Sequence, residues 1–164
     1  MPEKIKEVTP PRGFSRFLYR LPIWLYKWHM GWLLGGRFLL LNHVGRKSGQ
    51  PRQVVLEVAG HDETTDTYYV ASGFGPTSQW FQNIQQTTAV TIQVGRKKMA
   101  VTARILSPEE SGQTMVRYAQ AHPKAAKNLM KVCGYRVDGS DEDYFVMGSA
   151  HIPFVAFTPR QAGR

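Results

Sequence analysis

The feature that most constrains this chain is a series of short apolar or β-branched runs, several of them ending at glycine, set close together along the sequence. Residues 37–45 (RFLLLNHVG), 52–60 (RQVVLEVAG), 67–72 (TYYVAS), 89–95 (AVTIQVG), 98–106 (KMAVTARIL) and 152–159 (IPFVAFTP) each read as a strand. The polar stretch 61–66 (HDETTD) reads as a hairpin loop, and Arg96-Lys97 as a turn. Strands joined in this way do not alternate with long helices, which argues against a doubly wound parallel sheet. The expectation is an α+β chain, mainly β, built on an antiparallel barrel of about six strands with flanking helices.

Helical signals fall around and between these runs. Residues 14–34 (FSRFLYRLPIWLYKWHMGWLL) read as one helix or two, since Pro22 fits the first turn of a second. Residues 78–87 read as a short helix capped by Ser78. Ser107-Pro108-Glu109-Glu110 combines a serine cap, a proline at the first position and acids in the first turn, predicting a helix to about Ala121. A further helix fits 123–133, residues 138–143 (DGSDED) read as an acidic loop, and residues 1–13, with three prolines, read as a loose tail. A chain of 164 residues fits one core of ordinary size. We divide it into an N-terminal tail with an aromatic–basic helix (1–36) and a barrel domain (37–164).

Charge is unevenly placed. The formal net charge is +9, and residues 1–52 carry ten basic against two acidic side chains, whereas the rest carries eleven against ten. A nucleic-acid binder usually spreads its cations over a face built from several elements, and no such module is present, so a nucleic-acid partner is not expected. The aromatic and basic residues of 14–34, including Trp24, Lys27 and Trp28, allow two readings: a segment lying at an anionic membrane surface, or a helix packed on the domain by its aromatic face. The stretch holds too many charges for a spanning helix and has no signal-peptide pattern, so the cytoplasm, or the inner face of the cell membrane, is the expected location.

Several chemistries are excluded. There is no GxGxxG after a strand and no GxxxxGK[ST] loop, which removes the nicotinamide Rossmann and P-loop readings. The five histidines have no metal-ligand spacing, and one cysteine, Cys133, excludes a disulfide framework and a CxxC pair. The paired carboxylates lie in surface-like stretches. Any redox chemistry would then belong to a cofactor.

The informative motif is Gly45-Arg46-Lys47-Ser48-Gly49-Gln50-Pro51-Arg52, between two expected strands. Its two glycines permit a tight loop, and its backbone N–H groups can form an anion nest. Arginine clasps phosphate or carboxylate through two N–H groups, and lysine adds a point charge. The chemistry calls for a phosphate or polycarboxylate ligand, and an ordinary basic hairpin fits the same residues.

GRKSGQPR resembles the signature loop of the deazaflavin-dependent nitroreductase family, whose fold is a split β-barrel. The likeness continues through Tyr69–Gly73, Trp80–Ile84, Val90–Gly95, Thr102–Arg104, Ser107–Glu110 and Ile152–Val155, spanning roughly 37–158. It implies binding of coenzyme F420, whose phosphate and glutamate tail form a polyanion. By motif, Arg46, Lys47, Ser48 and Arg52 would hold that tail, Gly49 and Pro51 would shape the loop, and Asn42 would lie where the first strand meets the coenzyme. Ala71 and Ser72 would line the deazaflavin ring, Trp80 and Asn83 would close the site from the short helix, and Tyr135 would stand over the substrate side as the catalytic phenol. Gly73 stands where related chains often have lysine.

The implied activity is hydride transfer from the reduced deazaflavin to a quinone or nitroaromatic acceptor. Two alternatives stand beside it: an FMN-binding split-barrel reductase, since FMN also carries a phosphate, and a peripheral membrane protein that binds lipid or fatty acid through 14–34.

Overall fold

A computed structural model of the chain describes residues 2–5, 36–73 and 75–160. The expectations placed on 14–34 lie outside the described residues.

Six strands close into an antiparallel barrel: β2 (Phe38–Val44), β3 (Pro51–Asp62), β4 (Thr67–Ala71), β5 (Ala89–Val94), β6 (Lys97–Ile105) and β8 (Phe154–Pro159), in the order β2-β3-β4-β8-β6-β5. The expected fold is thus the observed one. Each strand boundary lies within three residues of the sequence reading. β3 runs two residues further into the polar stretch, leaving the turn to 63–66. That turn holds Asp66 at a positive φ of 54°, where its carboxylate accepts from Lys97 at 2.5 Å and meets His61 at 2.7 Å. The contacts stabilise a backbone conformation that a non-glycine residue seldom adopts.

The described residues form two compact units. Among the described residues, one draws on 36–70, Gln79–Arg104 and 156–160, and the other on 2–5, 71–73, 75–78 and Ile105–Val155. In the first, period-two alternation sends one side of each strand inward. Met99, Val101 and Ala103 of β6 are buried while Lys98, Ala100 and Thr102 are exposed. Leu39, Leu41, Val70, Ile92, Val101 and Phe157 are fully shielded from solvent, each removing apolar surface worth about 1.5–3 kcal/mol for a side chain of this size. Helix α1 (Gln79–Gln86) packs against β2 and buries Trp80, Phe81, Asn83 and Ile84.

The second unit is mainly helical: α2 (Pro108–Ala121), α3 (Pro123–Val132), α4 (Asp141–Val146) and a π-helical turn, Met147–His151. α2 starts as its sequence predicts. Ser107 Oγ accepts from the Glu110 amide at 3.1 Å, and Glu110 Oε1 accepts from the Ser107 amide at 3.1 Å, a complete capping box. α2 contacts α3, α4 and the π turn. Gly112 and Gly148 allow close approach: a Cβ on Gly112 would meet the Phe145 ring, and one on Gly148 would meet the Ser111 backbone.

Two expectations are corrected here. The acidic stretch 138–143 is not simply a loop. Ser140 caps α4, its hydroxyl accepting from the Asp143 amide at 3.2 Å, and the three acids occupy the first helical turn, where the helix dipole favours them. The N-terminal stretch is not wholly loose either. Glu3–Lys4 form a short strand β1, paired antiparallel with β7 (Tyr135–Arg136), and the Ile5 amide donates to the Gly134 carbonyl at 2.7 Å.

Candidate functional site

The β2–β3 hairpin carries the basic loop. Gly45 N–H donates to the Gln50 carbonyl at 2.9 Å, and Gly49 N–H to the Gly45 carbonyl at 2.8 Å, closing a compact turn. Gly49 sits at φ 69°, in the left-handed region that favours glycine. The Ser48 hydroxyl accepts from the Gln50 amide at 3.2 Å and fills the space where a Cβ on Gly45 would fall. Lys47, Ser48, Gly49, Pro51 and Arg52 are exposed. Among the described residues neither Lys47 nor Arg52 makes an ion pair.

Arg46 is held differently. Its backbone N–H and its Nη1 both donate to Asn83 Oδ1, at 3.1 and 2.9 Å, and Nη1 also donates to Gln79 Oε1 at 3.0 Å. Helix α1 thus reaches the hairpin and pins the arginine that follows Gly45. Asn83 is buried and its Nδ2 lies 3.1 Å from Nδ1 of His43, itself buried on β2. Burial, with the charge of Arg52 adding to it, pushes the His43 pKa from 6.5 down to about 4, so the ring is neutral at pH 7. Asn42 Oδ1 accepts from Gln53 Nε2 at 2.9 Å across the β2–β3 pair. Trp80 is buried edge-on against Phe81, with ring centroids 5.9 Å apart.

Of the residues expected at the site, the structure joins Arg46 directly to Asn83, and places Lys47, Ser48, Gly49, Pro51 and Arg52 on the same hairpin. Asn42 and Trp80 lie in the same unit as this hairpin. Ala71, Ser72 and Tyr135 belong to the other unit.

In that unit Ser72 is fully buried and ordered by the chain after it. Its amide donates to the Pro153 carbonyl at 2.8 Å and its hydroxyl to the Gly75 carbonyl at 2.6 Å. Ala71, immediately before it, is half-buried. Gly73 accepts from the Cys133 thiol at 2.8 Å, and burial raises the thiol pKa to about 11, so Cys133 stays protonated and unreactive. Tyr135 is half-buried on β7. Its Oη lies 3.2 Å from Nδ1 of His151, with ring centroids 4.8 Å apart.

His43, Gln79 and His151 are absent from the sequence-derived set. A lone histidine has no spacing signal, and the partners that give these residues meaning are 16 to 40 positions away in the chain. Among the described residues no group of His, Cys, Asp or Glu could hold a metal ion, and no helix is long and apolar enough to cross a membrane.

Known structures share the architecture. An F420-H2 dependent reductase, FDR-A, aligns with a TM-score of 0.51 at 23% identity, over 74% of this chain and 93% of that one. HutZ, the heme storage protein from Vibrio cholerae, aligns with a TM-score of 0.53 at 11% identity, over 84% of this chain and 92% of that one. A protein of unknown function from Agrobacterium tumefaciens aligns with a TM-score of 0.54 at 13% identity, over 93% of this chain and 60% of that one. At these identities the likeness establishes the fold. The sequence itself matches the F420H(2)-dependent quinone reductase family over residues 19–133. With that match covering more than half of its length and running through both the basic hairpin and α1, the chain belongs to the F420H(2)-dependent quinone reductase family.

Proposed function

We propose that the protein is a reductase that passes a hydride from reduced coenzyme F420 to a quinone, with nitroaromatics as a second class of acceptor. The observation that carries this reading is the hairpin 45–52. It presents Lys47 and Arg52 to solvent without an ion pair among the described residues, beside an arginine pinned in place by Asn83. Cations left uncompensated on a tight turn fit a polyanionic ligand, and the phosphate and glutamate tail of F420 is one.

Within the hairpin unit, Lys47, Ser48 and Arg52 would bind the phosphate and tail. Gly49 and Pro51 would fix the turn that presents them. Arg46 would offer whatever donors Asn83 and Gln79 leave unused, from a fixed position. Asn42 and Trp80 would shape the site along β2 and α1. Within the other unit, Ala71 would line the ring and the buried Ser72 would hold the turn that follows β4. When bound, the reduced deazaflavin supplies the hydride. A quinone that accepts a hydride becomes a hydroquinone anion and needs one proton. Tyr135 would hold that proton at Oη, with His151 beside it as a hydrogen-bond partner. The remaining contribution of the chain is positioning, which in the best cases lowers a barrier by about 7–11 kcal/mol.

Titration of the purified protein with F420 tests the binding, and oxidation of reduced F420 by menadione-like quinones and by nitro compounds tests the activity. Micromolar binding with quinone turnover is expected. A protein that purifies yellow, with flavin absorption near ~450 nm, and that ignores F420 would make it an FMN enzyme instead. Lipid-soluble quinones lie in membranes, and the aromatic–basic segment 14–34 is the part of the chain we would assign to that surface; liposome co-sedimentation with and without residues 1–36 tests it.

A further inference from the structure

The bonds around Asn83 have a direction. The Arg46 backbone N–H and its guanidinium Nη1 are obligatory donors, and both point at one atom of the Asn83 side-chain amide, at 3.1 and 2.9 Å. That atom must be the oxygen. The other end of the amide is then NH2, a donor, and it lies 3.1 Å from His43 Nδ1. His43 must therefore accept through an Nδ1 lone pair and carry its proton on Nε2. Reversing the histidine would set N–H against NH2. Repair would require a half-turn of the amide, which would aim NH2 at both Arg46 donors.

We propose that His43 is a positioning residue for the anion-binding hairpin: its Nδ1 lone pair locks the Asn83 amide, and that amide locks the backbone and guanidinium of Arg46. The inference rests on the reading of this hairpin as the coenzyme's anion site. His43 touches no ligand in this scheme. It sits on β2 in the inward row of Leu39 and Leu41, shielded from solvent, so water does not compete for the lone pair. Its cross-strand partner on β3 is Arg52, whose positive charge disfavours a second proton on the ring, and the cation beyond Asn83 on the side of α1 is Arg46. Burial first, and the charge of Arg52 after it, thus hold His43 in the accepting form. Gln79 braces the same Nη1 from the preceding turn of α1, so the arginine is gripped by two side chains of one helix face.

The test uses the full-length protein with two variants and a measurement on the wild type. His43→Leu removes the acceptor. His43→Asn places an amide oxygen near the position of Nδ1 and restores it. Titration with F420 is expected to show at least a tenfold weaker Kd for H43L and a Kd within about threefold of wild type for H43N. Long-range 15N NMR of the ligand-free wild type is expected to show His43 protonated at Nε2 at pH 7. The side-chain NH2 resonance of Asn83 is expected to shift in H43L and to stay near its wild-type position in H43N. An Nδ1-protonated His43, an Asn83 amide indifferent to H43L, or equal coenzyme affinity in wild type and H43L would each overturn the proposal. The NMR readouts need no ligand. Failure of the wild type to bind F420 would therefore remove the coenzyme reading, while the locking of Asn83 and Arg46 by His43 would still stand or fall on the spectra.

Discussion

Tyr135 and His151 meet with phenol oxygen and imidazole Nδ1 3.2 Å apart and their rings 4.8 Å apart, although one lies on a two-residue strand and the other ends a π-helical turn. The pair combines a proton donor with a group able to accept from it or donate to it. Removing the phenol proton with Tyr135→Phe is expected to lower kcat for quinone reduction by about 10²-fold, the lower end of what general acid catalysis contributes. The F420 Kd should stay within about twofold. His151→Leu should lower kcat less, since the phenol keeps its own proton. Steady-state kinetics beside a coenzyme titration separates the two effects, and an unchanged kcat in Y135F would remove the phenol from the chemistry.

The exposed cations of the hairpin carry a different expectation. On the proposed reading, Lys47→Ala and Arg52→Ala would each remove one charge-assisted hydrogen bond to the coenzyme, of about 1.5–3 kcal/mol, so each should weaken F420 binding about 10–100-fold. Both side chains are exposed, and their loss should change folding stability by no more than about 0.5 kcal/mol. The dependence of Kd on salt should flatten in the double variant, since screened attraction between exposed charges is what salt removes. Calorimetry at two ionic strengths measures this.

The two glycines of the turn should fail in distinguishable ways. Gly49→Ala places a Cβ at φ 69° in otherwise open space, so the cost is backbone strain alone, about 1–2 kcal/mol. Gly45→Ala has no positive φ to satisfy, but its Cβ would lie 2.5 Å from Ser48 Oγ. Adding Ser48→Ala should therefore recover most of the stability lost in G45A and none of that lost in G49A. Denaturant unfolding of the four variants gives the comparison.

How much of this was legible beforehand differed by element. The start of α2 was readable because a capping box is local: Ser107 and Glu110 satisfy each other within four residues. The start of α4 carries the same kind of signal in Ser140 with acids after it, yet by composition the run DGSDED reads as an acidic loop. What decided it is tertiary: Asp143 is buried, and its carboxylate accepts from the Asp138 amide at 2.9 Å. The β1–β7 pairing has two residues on each side and no periodicity to read. Within the candidate site, the hairpin was legible from its glycines and cations. Asn83 was legible only through resemblance. His43 was not legible at all, since its role is set by a side chain 40 residues away.

The buried neutral histidine also sets a pH dependence. The folded His43 pKa is near 4 and the unfolded value near 6.5, so the unfolded chain binds the proton more readily. Stability from this group is complete above the unfolded value and is lost as pH falls from about 6.5 to 4. Allowing for partial solvent screening, the loss should be about 2 kcal/mol, or roughly 4–8 °C in Tm for a chain of this size. Carboxylates contribute to acid unfolding as well, so the diagnostic is a difference: H43N should have a shallower fall in Tm than wild type between pH 6.5 and 4.5. Parallel curves would show that His43 does not titrate with folding.

The π-helical turn Met147–His151 has one further consequence. Such a turn amounts to one residue inserted into an α-helix, and one residue of an α-helix is a rotation of about 100°. Deleting a single codon within 147–150 would let α4 continue as a regular helix and swing the His151 imidazole away from Tyr135, with both residues of the pair retained. Re-aiming that ring therefore lies one small insertion or deletion away in evolutionary terms, a shorter path than replacing the residues around it.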